Sequence, residues 1–198
     1  MHIIEQTDDH AAAIERLLDL TFGPDRHHKT VYRLRDGVAP APGLSFVIEN
    51  GDGPNHNDRA DSPGRRIAEG DSTRPGSGLA ATLRFWPVML PDGGAALLLG
   101  PIAVRPDLAG RGYGKALMRH GIARARVRGW PAILLVGDAP YYQPLGFTRA
   151  AAEKLQLPGP VERERFLALE LVPGALDGAE GMVGRAEPDA AAQRKAGG

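Results

Sequence analysis

Apolar residues recur along the chain with two different periods, which separate predicted strands from predicted helices. Short apolar and β-branched runs predict strands at residues 2–6, 44–49, 79–90, 95–104, 132–136 and 166–172. Ile14, Leu17 and Leu18 recur at helical spacing and predict a first helix. A second, shorter helix is predicted over residues 27–35, and a third after Gly112. This order of elements predicts a single α/β domain with a mixed sheet.

Two segments lack the apolar residues that a folded core requires. Residues 51–78 contain six glycines and three prolines, and Ile67 is their only large apolar residue. We therefore predict a flexible insertion that joins the two strands of a hairpin. Residues 173–198 are rich in alanine and glycine with scattered charges, and we predict a flexible tail there. The folded domain is expected to span residues 1–172.

Charge is balanced over the whole chain but not along it. The chain contains 24 Lys and Arg and 24 Asp and Glu. The stretch from Arg105 to Arg128, by contrast, has seven basic residues and one acid, Asp107. A local basic patch on a neutral protein favours a small anionic ligand. Because Tyr113 is the one Phe, Tyr or Trp residue in the patch, the patch does not indicate a nucleic-acid partner.

Several classes of protein are excluded by what the sequence lacks. There is no cysteine, which excludes disulfides, thiolate metal sites and cysteine nucleophiles. The six histidines are dispersed, so no metal site is predicted. The nucleophile elbow Gly-x-Ser-x-Gly is absent. The N-terminus does not resemble a signal peptide, and no apolar run approaches the ~20 residues of a membrane span. We therefore expect a cytoplasmic protein without a membrane partner.

Three glycines within five positions precede the third predicted helix. Gly110, Gly112 and Gly114 leave backbone N–H groups unobstructed by Cβ atoms. They do so where a helix has unpaired N–H groups and a partial positive charge. Such an arrangement binds phosphate, and Arg111 and Lys115 add charge at its rim. The turn therefore predicts a site for a polyanion.

The spacing does not fit two common phosphate-binding loops. A Walker A loop requires Ser or Thr after its lysine, but Lys115 is followed by Ala116. The dinucleotide fingerprint requires a third glycine where Leu117 stands. Both motifs are excluded.

The stretch resembles instead the coenzyme A loop of the GNAT acyltransferase superfamily, in which Gln/Arg-x-x-Gly-x-Gly/Ala follows a strand ending in Val-x-Pro. The matching residues are Val104, Pro106, Gly110, Arg111, Gly112 and Gly114, whereas Ala109 stands at the Gln/Arg position. A second match lies downstream, where Tyr142 precedes Gly146 and Phe147 with the spacing common in the family. The resemblance implies α/β (α+β) architecture: a single GNAT-like domain, with a mixed, mostly antiparallel sheet splayed at its centre and flanked by helices.

The resemblance also implies acetyl-CoA as co-substrate, bound in the cleft between strands 95–104 and 132–136. It places the pantetheine arm along the first strand and the pyrophosphate on the glycine turn. The implied cofactor-binding residues are Ile102, Ala103, Val104, Ala109, Gly110, Arg111, Gly112, Tyr113, Gly114, Lys115 and Asp138. Asp138 also fits the cap of a short helix, and Tyr141 is expected only to cover the sheet.

The implied reaction is direct transfer of an acetyl group to an amine of a small molecule or peptide. Tyr142 is the candidate acid that protonates the leaving thiolate, and a backbone N–H at 100–103 is the candidate oxyanion donor. The strand at 95–104 lacks the acid that many relatives carry there, so the base stays open between Asp138, Glu49 and a chain of waters. The same absence leaves a non-catalytic acyl-CoA-binding or sensory module as the alternative. Since relatives are commonly dimers, a homodimer is a further expectation.

Overall fold

The computed structural model describes residues 1–28, 30–50 and 78–186. Its strands are β1 (Ile3–Glu5), β2 (Ser45–Glu49), β3 (Leu79–Met89), β4 (Ala95–Val104), β5 (Ala132–Val136), β6 (Leu155–Gln156), β7 (Phe166–Glu170), β8 (Gly181–Met182) and β9 (Gly184–Arg185). Its α-helices are α1 (Ala11–Phe22), α2 (Thr30–Arg33), α3 (Tyr113–Val127) and α4 (Ala139–Tyr142). The predicted insertion at 51–78 lies outside the described residues apart from Gly78.

One sheet is built around β3 and β4, which are its two longest strands. The strand order is β1-β2-β3-β4-β5-β7, and β9 pairs with β3 beyond the end of β2. Neighbouring strands are antiparallel except for β4 and β5, which run parallel. The prediction of a single α/β domain with a mixed, mostly antiparallel sheet is therefore confirmed.

The sheet opens between β4 and β5. Two pairs of residues are in register: Leu97 with Ile133, and Leu98 with Leu134. Beyond them β4 continues to Val104 without a paired strand on this side among the described residues. On its other side, β4 places both Gly100 and Pro101 opposite Arg84, which shifts the register with β3 by one residue. This bulge and the opening beside it confirm the predicted splay at the centre of the sheet.

Helix α3 packs against β3 through a glycine. Leu117, Met118 and Ile122 are buried on its apolar face together with Gly121. A Cβ atom added at Gly121 would lie 2.5 Å from Cε2 of Phe85, which is closer than any real contact. The helix therefore reaches the sheet only because this position lacks a side chain.

Gly121→Val is expected to lower the free energy of unfolding by about 1–3 kcal/mol, because the added methyl groups overpack this contact. Ala123→Val is the matched control, because Ala123 is exposed on the same helix. This variant changes helix propensity alone, which is worth up to about 0.7 kcal/mol. Urea unfolding of the two variants measures the difference. Equal losses in both would contradict the packing described.

The C-terminal segment up to residue 186 is part of the domain, and the prediction of a flexible tail is wrong there. Leu176, Ala179, Val183 and Ala186 are buried, and β9 pairs with Val88 and Met89 of β3. The end of β3 extends past β2 and leaves an open edge, which β9 completes. The spacing of apolar residues does not predict the pairing of β9 with β3, because the residues of this segment become buried only when it lies against its partner strand. Residues 187–198 lie outside the described residues.

The second helix is shorter than predicted. In place of a helix over 27–35, a 3₁₀ turn at Pro24–His28 precedes the single turn of α2. Contacts with a loop distant in sequence determine this shape. The Thr30 hydroxyl donates to the Pro160 carbonyl at 2.8 Å, and Nη1 of Arg33 donates to the Pro158 carbonyl at 3.1 Å. These contacts bring the following residue pair, Leu34 and Arg35, to buried positions near β4.

Candidate active site

A cavity of about 570 Å³ lies where β4 and β5 separate, and we call it the splay cavity. From the sheet it is lined by Leu99, Gly100, Pro101, Ile102 and Val136. From the surrounding segments it is lined by Tyr32, Arg35, Gly137, Asp138, Tyr141, Tyr142, Glu162 and Arg165, among others. The two predicted functional elements, the bulged strand and the segment after β5, therefore meet in one space.

The glycine loop, residues 110–115, presents free backbone donors at the start of α3. Gly110 and Gly112 have φ angles of 77° and 86°, a left-handed backbone that favours glycine. The first bond of the helix runs from the Ala116 N–H to the Gly112 carbonyl at 2.9 Å. Within the described part of the chain, no acceptor is assigned to the N–H groups from Gly112 to Lys115. Such donors together with the positive end of a helix are the kind of array that binds phosphate groups in proteins.

Gly114 connects the glycine loop to the splay cavity. A Cβ atom added there would lie 2.6 Å from the Tyr141 hydroxyl and 3.4 Å from Cγ2 of Val104. Tyr141 therefore reaches across the opening of the sheet to the start of α3, a role that the sequence did not suggest. Burial raises the pKa of Tyr141, so its hydroxyl is neutral and can donate a hydrogen bond at neutral pH.

The three candidate residues of β4 alternate between the two faces of the sheet. Side chains of Ile102 and Val104 lie towards Gly114, with Cδ1 of Ile102 at 3.7 Å from the added Cβ position. Ala103 is buried on the opposite face with Leu17 and Leu18 of α1. Backbone groups of β4 past Leu98 lie along the open side of the sheet, where an extended ligand can pair with them.

Tyr142 is a buried residue of the splay cavity. Its ring packs so closely on Gly137 that a Cβ there would lie 2.2 Å from its Cε2 atom. It makes edge-on contacts with Tyr141 and Phe147, at centroid distances of 5.0 and 6.0 Å. Burial, with smaller contributions from Tyr141 and Asp138, raises the pKa of Tyr142 to about 12. The hydroxyl is therefore a proton donor over the whole physiological range.

Asp138 begins α4 through its backbone rather than through its carboxylate. The Tyr141 N–H donates to the Asp138 carbonyl at 2.9 Å, whereas the side chain makes no capping hydrogen bond. The carboxylate instead lies 3.2 Å from Nε of Arg165. Asp138 thus lines the splay cavity as half of an exposed ion pair.

The remaining base candidate from the sequence, Glu49, lies elsewhere. It is at the end of β2, where its Oε1 lies 3.4 Å from Nε2 of His10, and it lines neither of the two cavities described in this section. Glu162, which the sequence did not suggest, lines the splay cavity together with Asp138. These two carboxylates are the acids that the fold brings to the rim of this cavity.

The family model of the acetyltransferase (GNAT) family matches residues 12–147. The chain belongs to the GNAT acetyltransferase family. Among curated proteins, the uncharacterized N-acetyltransferase YjhQ of Escherichia coli K12 is 37% identical over 68 residues, which cover 34% of this chain and 38% of YjhQ. The uncharacterized N-acetyltransferase YhbS of the same strain is 29% identical over 85 residues, 43% of this chain and 51% of YhbS. The chain thus matches about half or less of the length of these relatives.

Solved GNAT structures share the fold over almost the whole chain. The crystal structure of Escherichia coli YhbS in complex with CoA has a TM-score of 0.67 at 24% identity and covers 94% of this chain and 89% of that one. A GNAT family acetyltransferase from Brucella melitensis in complex with acetyl-CoA has a TM-score of 0.60 at 24% identity and covers 96% of each chain.

The GNAT fold of this chain also contains a second cavity that the sequence did not suggest. It has a volume of about 510 Å³, and we call it the arginine cavity. It shares Arg26, Tyr32, Arg35 and Pro101 with the splay cavity and is further lined by Glu15, Arg33, Asp36, Arg84 and Trp86, among others. No signal in the sequence predicts that arginines line a cavity here, because arginine side chains normally lie in solvent.

Residues 1–28, 30–50 and 78–186 contain neither a membrane-spanning helix nor a cluster of metal ligands. No helix there combines the length and the apolar character needed to cross a bilayer. No group of three or more histidines and carboxylates is placed to hold a metal ion.

Proposed function

We propose that this GNAT protein transfers the acetyl group of acetyl-CoA to an amine. The observation that carries the proposal is the proximity of three features in one place. Free N–H donors start α3, β4 has an open side past Leu98, and Tyr142 is a buried proton donor in the adjoining cavity. Each feature suits a different part of an acyl-CoA: the diphosphate, the pantetheine arm and the thioester.

Binding of acetyl-CoA would use the backbone more than side chains. The pantetheine amides pair with the strand at Ile102, Ala103 and Val104, as an added strand would. The diphosphate lies on residues 109–115, where Arg111 and Lys115 contribute charge at the rim. This reliance on the backbone explains why Ala109 suffices where the family pattern has Gln or Arg.

The chemistry would be a single displacement at the thioester carbon. The lone pair of a neutral amine forms the new C–N bond, and the C–S bond breaks as the electron pair leaves with sulfur. Tyr142 donates its proton to that sulfur, while a backbone N–H at the bulge of β4 stabilises the oxyanion. Asp138 or Glu162 accepts the amine proton through water, since both carboxylates are at the rim of the cavity.

Release of free CoA from acetyl-CoA in the presence of a panel of amines tests the proposal. We expect thiol release that depends on both the enzyme and the amine. Sustained binding of acetyl-CoA with no release for any amine would favour a non-catalytic acyl-CoA-binding or sensory module instead. Cytoplasmic localisation and a homodimer are further parts of the proposal, tested by cell fractionation and by light scattering in solution.

The pH dependence of kcat/KM provides a separate test of Tyr142. A general acid loses activity as pH rises through its pKa, and the pKa of Tyr142 is raised to about 12. We therefore expect that Tyr142 causes no fall in kcat/KM up to about pH 10, near the ordinary tyrosine pKa. The measurement is a profile of kcat/KM from neutral pH upwards for the wild type and for Tyr142→Phe. A falling limb at pH 8–9 that disappears in the variant would contradict the assignment.

A further inference from the structure

Arg35 is a buried cation without an opposite charge. Its exposure is 7%, and no carboxylate in the described part of the chain pairs with it. Its Nε–H is buried with no hydrogen-bond partner. The guanidinium instead lies near two aromatic rings, 5.0 Å from the centroid of Tyr32 and 5.8 Å from that of Trp86.

Arg26 lines the same two cavities as Arg35, and its ion pairs can be compared with those of Arg35. Arg26 is also buried, but its Nη2 lies 2.6 Å from Glu15 and its Nε lies 2.9 Å from Asp19. Among the described residues, the fold thus supplies carboxylate partners to Arg26 and none to Arg35. Burial lowers the pKa of Arg35 to about 10, so the group remains a cation at neutral pH.

A buried and unpaired cation destabilises a folded protein, and an apolar side chain of similar volume is normally better tolerated. Cation–aromatic contacts recover only part of this loss of stability. An arrangement of this kind is expected where a ligand supplies the missing charge.

Trp86 supplies a second buried N–H donor at the arginine cavity. The indole N–H of Trp86 is also buried without a hydrogen-bond partner, and Trp86 lines the arginine cavity with Arg35. Arg84 adds a further cation, since its Nη1 lies 3.5 Å from a glutamate, Glu15, that it shares with Arg26. The cavity therefore combines unused N–H donors with excess positive charge, which is the environment of an anion with acceptor oxygens.

Arg35 lies close to the place where acetyl transfer is proposed to occur. Its Nη2 atom lies 3.1 Å from the place where a Cβ of Gly100 would be, beside the bulge of β4. Arg35 also lines both the arginine cavity and the splay cavity. An anion bound to it would lie next to the point where the acetyl group is transferred.

We propose that the acceptor is an amine that carries a carboxylate close to its amino group, and that Arg35 binds this carboxylate. The proposal rests on the proposed acetyl transfer and specifies its substrate class. A carboxylate matches the two unpartnered N–H groups of Arg35 and Trp86 better than a phosphate does, because it has two acceptor oxygens, one for each group. A phosphate brings nearly two charges and three oxygens.

The test uses pairs of acceptors that differ only in the carboxylate: free amino acids and the same amino acids as C-terminal amides, with a phosphate-bearing amine as a third arm. We expect wild-type kcat/KM to favour the carboxylate by about 10- to 100-fold, the range for a hydrogen bond to a charged group. Arg35→Gln should abolish this preference through KM for the acid while the amide changes little. Arg35→Lys, which keeps the charge, should restore part of it.

Arg16→Gln is the control, because Arg16 is exposed on α1 and lines neither cavity. It should leave the preference unchanged. Equal rates for acids and amides in the wild type, a preference for the phosphate-bearing amine, or a preference that survives in Arg35→Gln would each overturn the carboxylate site.

Calorimetry separates this proposal from the proposed function. N-acetyl amino acids and their amides are titrated into the CoA-bound wild type and into CoA-bound Arg35→Gln. If no amine is acetylated but the acids bind through Arg35, the acetyl-transfer proposal fails and the anion site stands. If amines are acetylated but acids and amides bind equally, the carboxylate proposal alone fails.

Discussion

Tyr142→Phe is expected to lower kcat for acetyl transfer by about 100-fold or more, the usual contribution of a positioned general acid. The variant removes the hydroxyl and keeps the ring. That ring is held by Gly137, Tyr141 and Phe147, so the fold and the affinity for acetyl-CoA should persist. Steady-state kinetics together with calorimetric titration of acetyl-CoA separate the loss of rate from any loss of binding.

Tyr141→Phe is the matched control for this experiment. Tyr141 lies next in sequence, lines the same cavity and also has a raised pKa, but its hydroxyl points to Gly114 at the start of α3. We expect a small effect of Tyr141→Phe on kcat. If Tyr141→Phe lost the activity and Tyr142→Phe kept it, the role of the acid would pass to Tyr141.

Gly112→Val is expected to weaken binding of acetyl-CoA by about 10- to 100-fold, the loss of one or two hydrogen bonds to a charged group. Gly112 has a φ of 86° and precedes the first residue of α3. A β-branched residue avoids this backbone conformation, so the loop must refold and its N–H groups lose their common direction. Titration of acetyl-CoA measures the effect.

Gly129→Val controls for the backbone strain itself. Gly129 follows the other end of α3, has a φ of 72° and has open space where a Cβ would be, as does Gly112. Both variants should lose similar stability, roughly 1–2 kcal/mol for a non-glycine residue in this region, but only Gly112→Val should lose affinity. Equal affinities in the two variants would argue against a phosphate site at the start of α3.

Much of the fold could be predicted because local patterns and tertiary structure agree. The strands predicted at 95–104 and 132–136 have the same bounds as β4 and β5, since both are continuous apolar runs between turn residues. The bulge of β4 lies at Gly100 and Pro101, where the proline has no N–H to donate to the neighbouring strand. The placement of the glycine loop before a helix followed from three glycines at short spacing.

Failures of prediction occurred where a distant contact decides local structure. Residues 173–186 look like a tail in composition, yet β9 joins the sheet because β3 extends beyond β2. The predicted helix at 27–35 is reduced to one turn because Thr30 and Arg33 bond to the carbonyls of Pro160 and Pro158. Neither outcome depends on a local conformational preference that the spacing of apolar residues in the sequence could predict.

The resemblance of two short motifs to the GNAT family implied the splayed strand pair and Tyr142 as a candidate acid. The sequence by itself determined the order of the strands along the chain and the glycine loop. These are properties of short segments, where periodicity, glycine and proline act on the backbone directly. Only the tertiary structure decided that, within the described part of the chain, Arg35 is buried without a counter-ion and the Trp86 N–H beside it is unpaired. It also decided that Glu162 rather than Glu49 reaches the splay cavity. Burial and ion pairing depend on which segments contact one another in the folded protein. The sequence alone therefore does not predict whether a charged side chain has a partner.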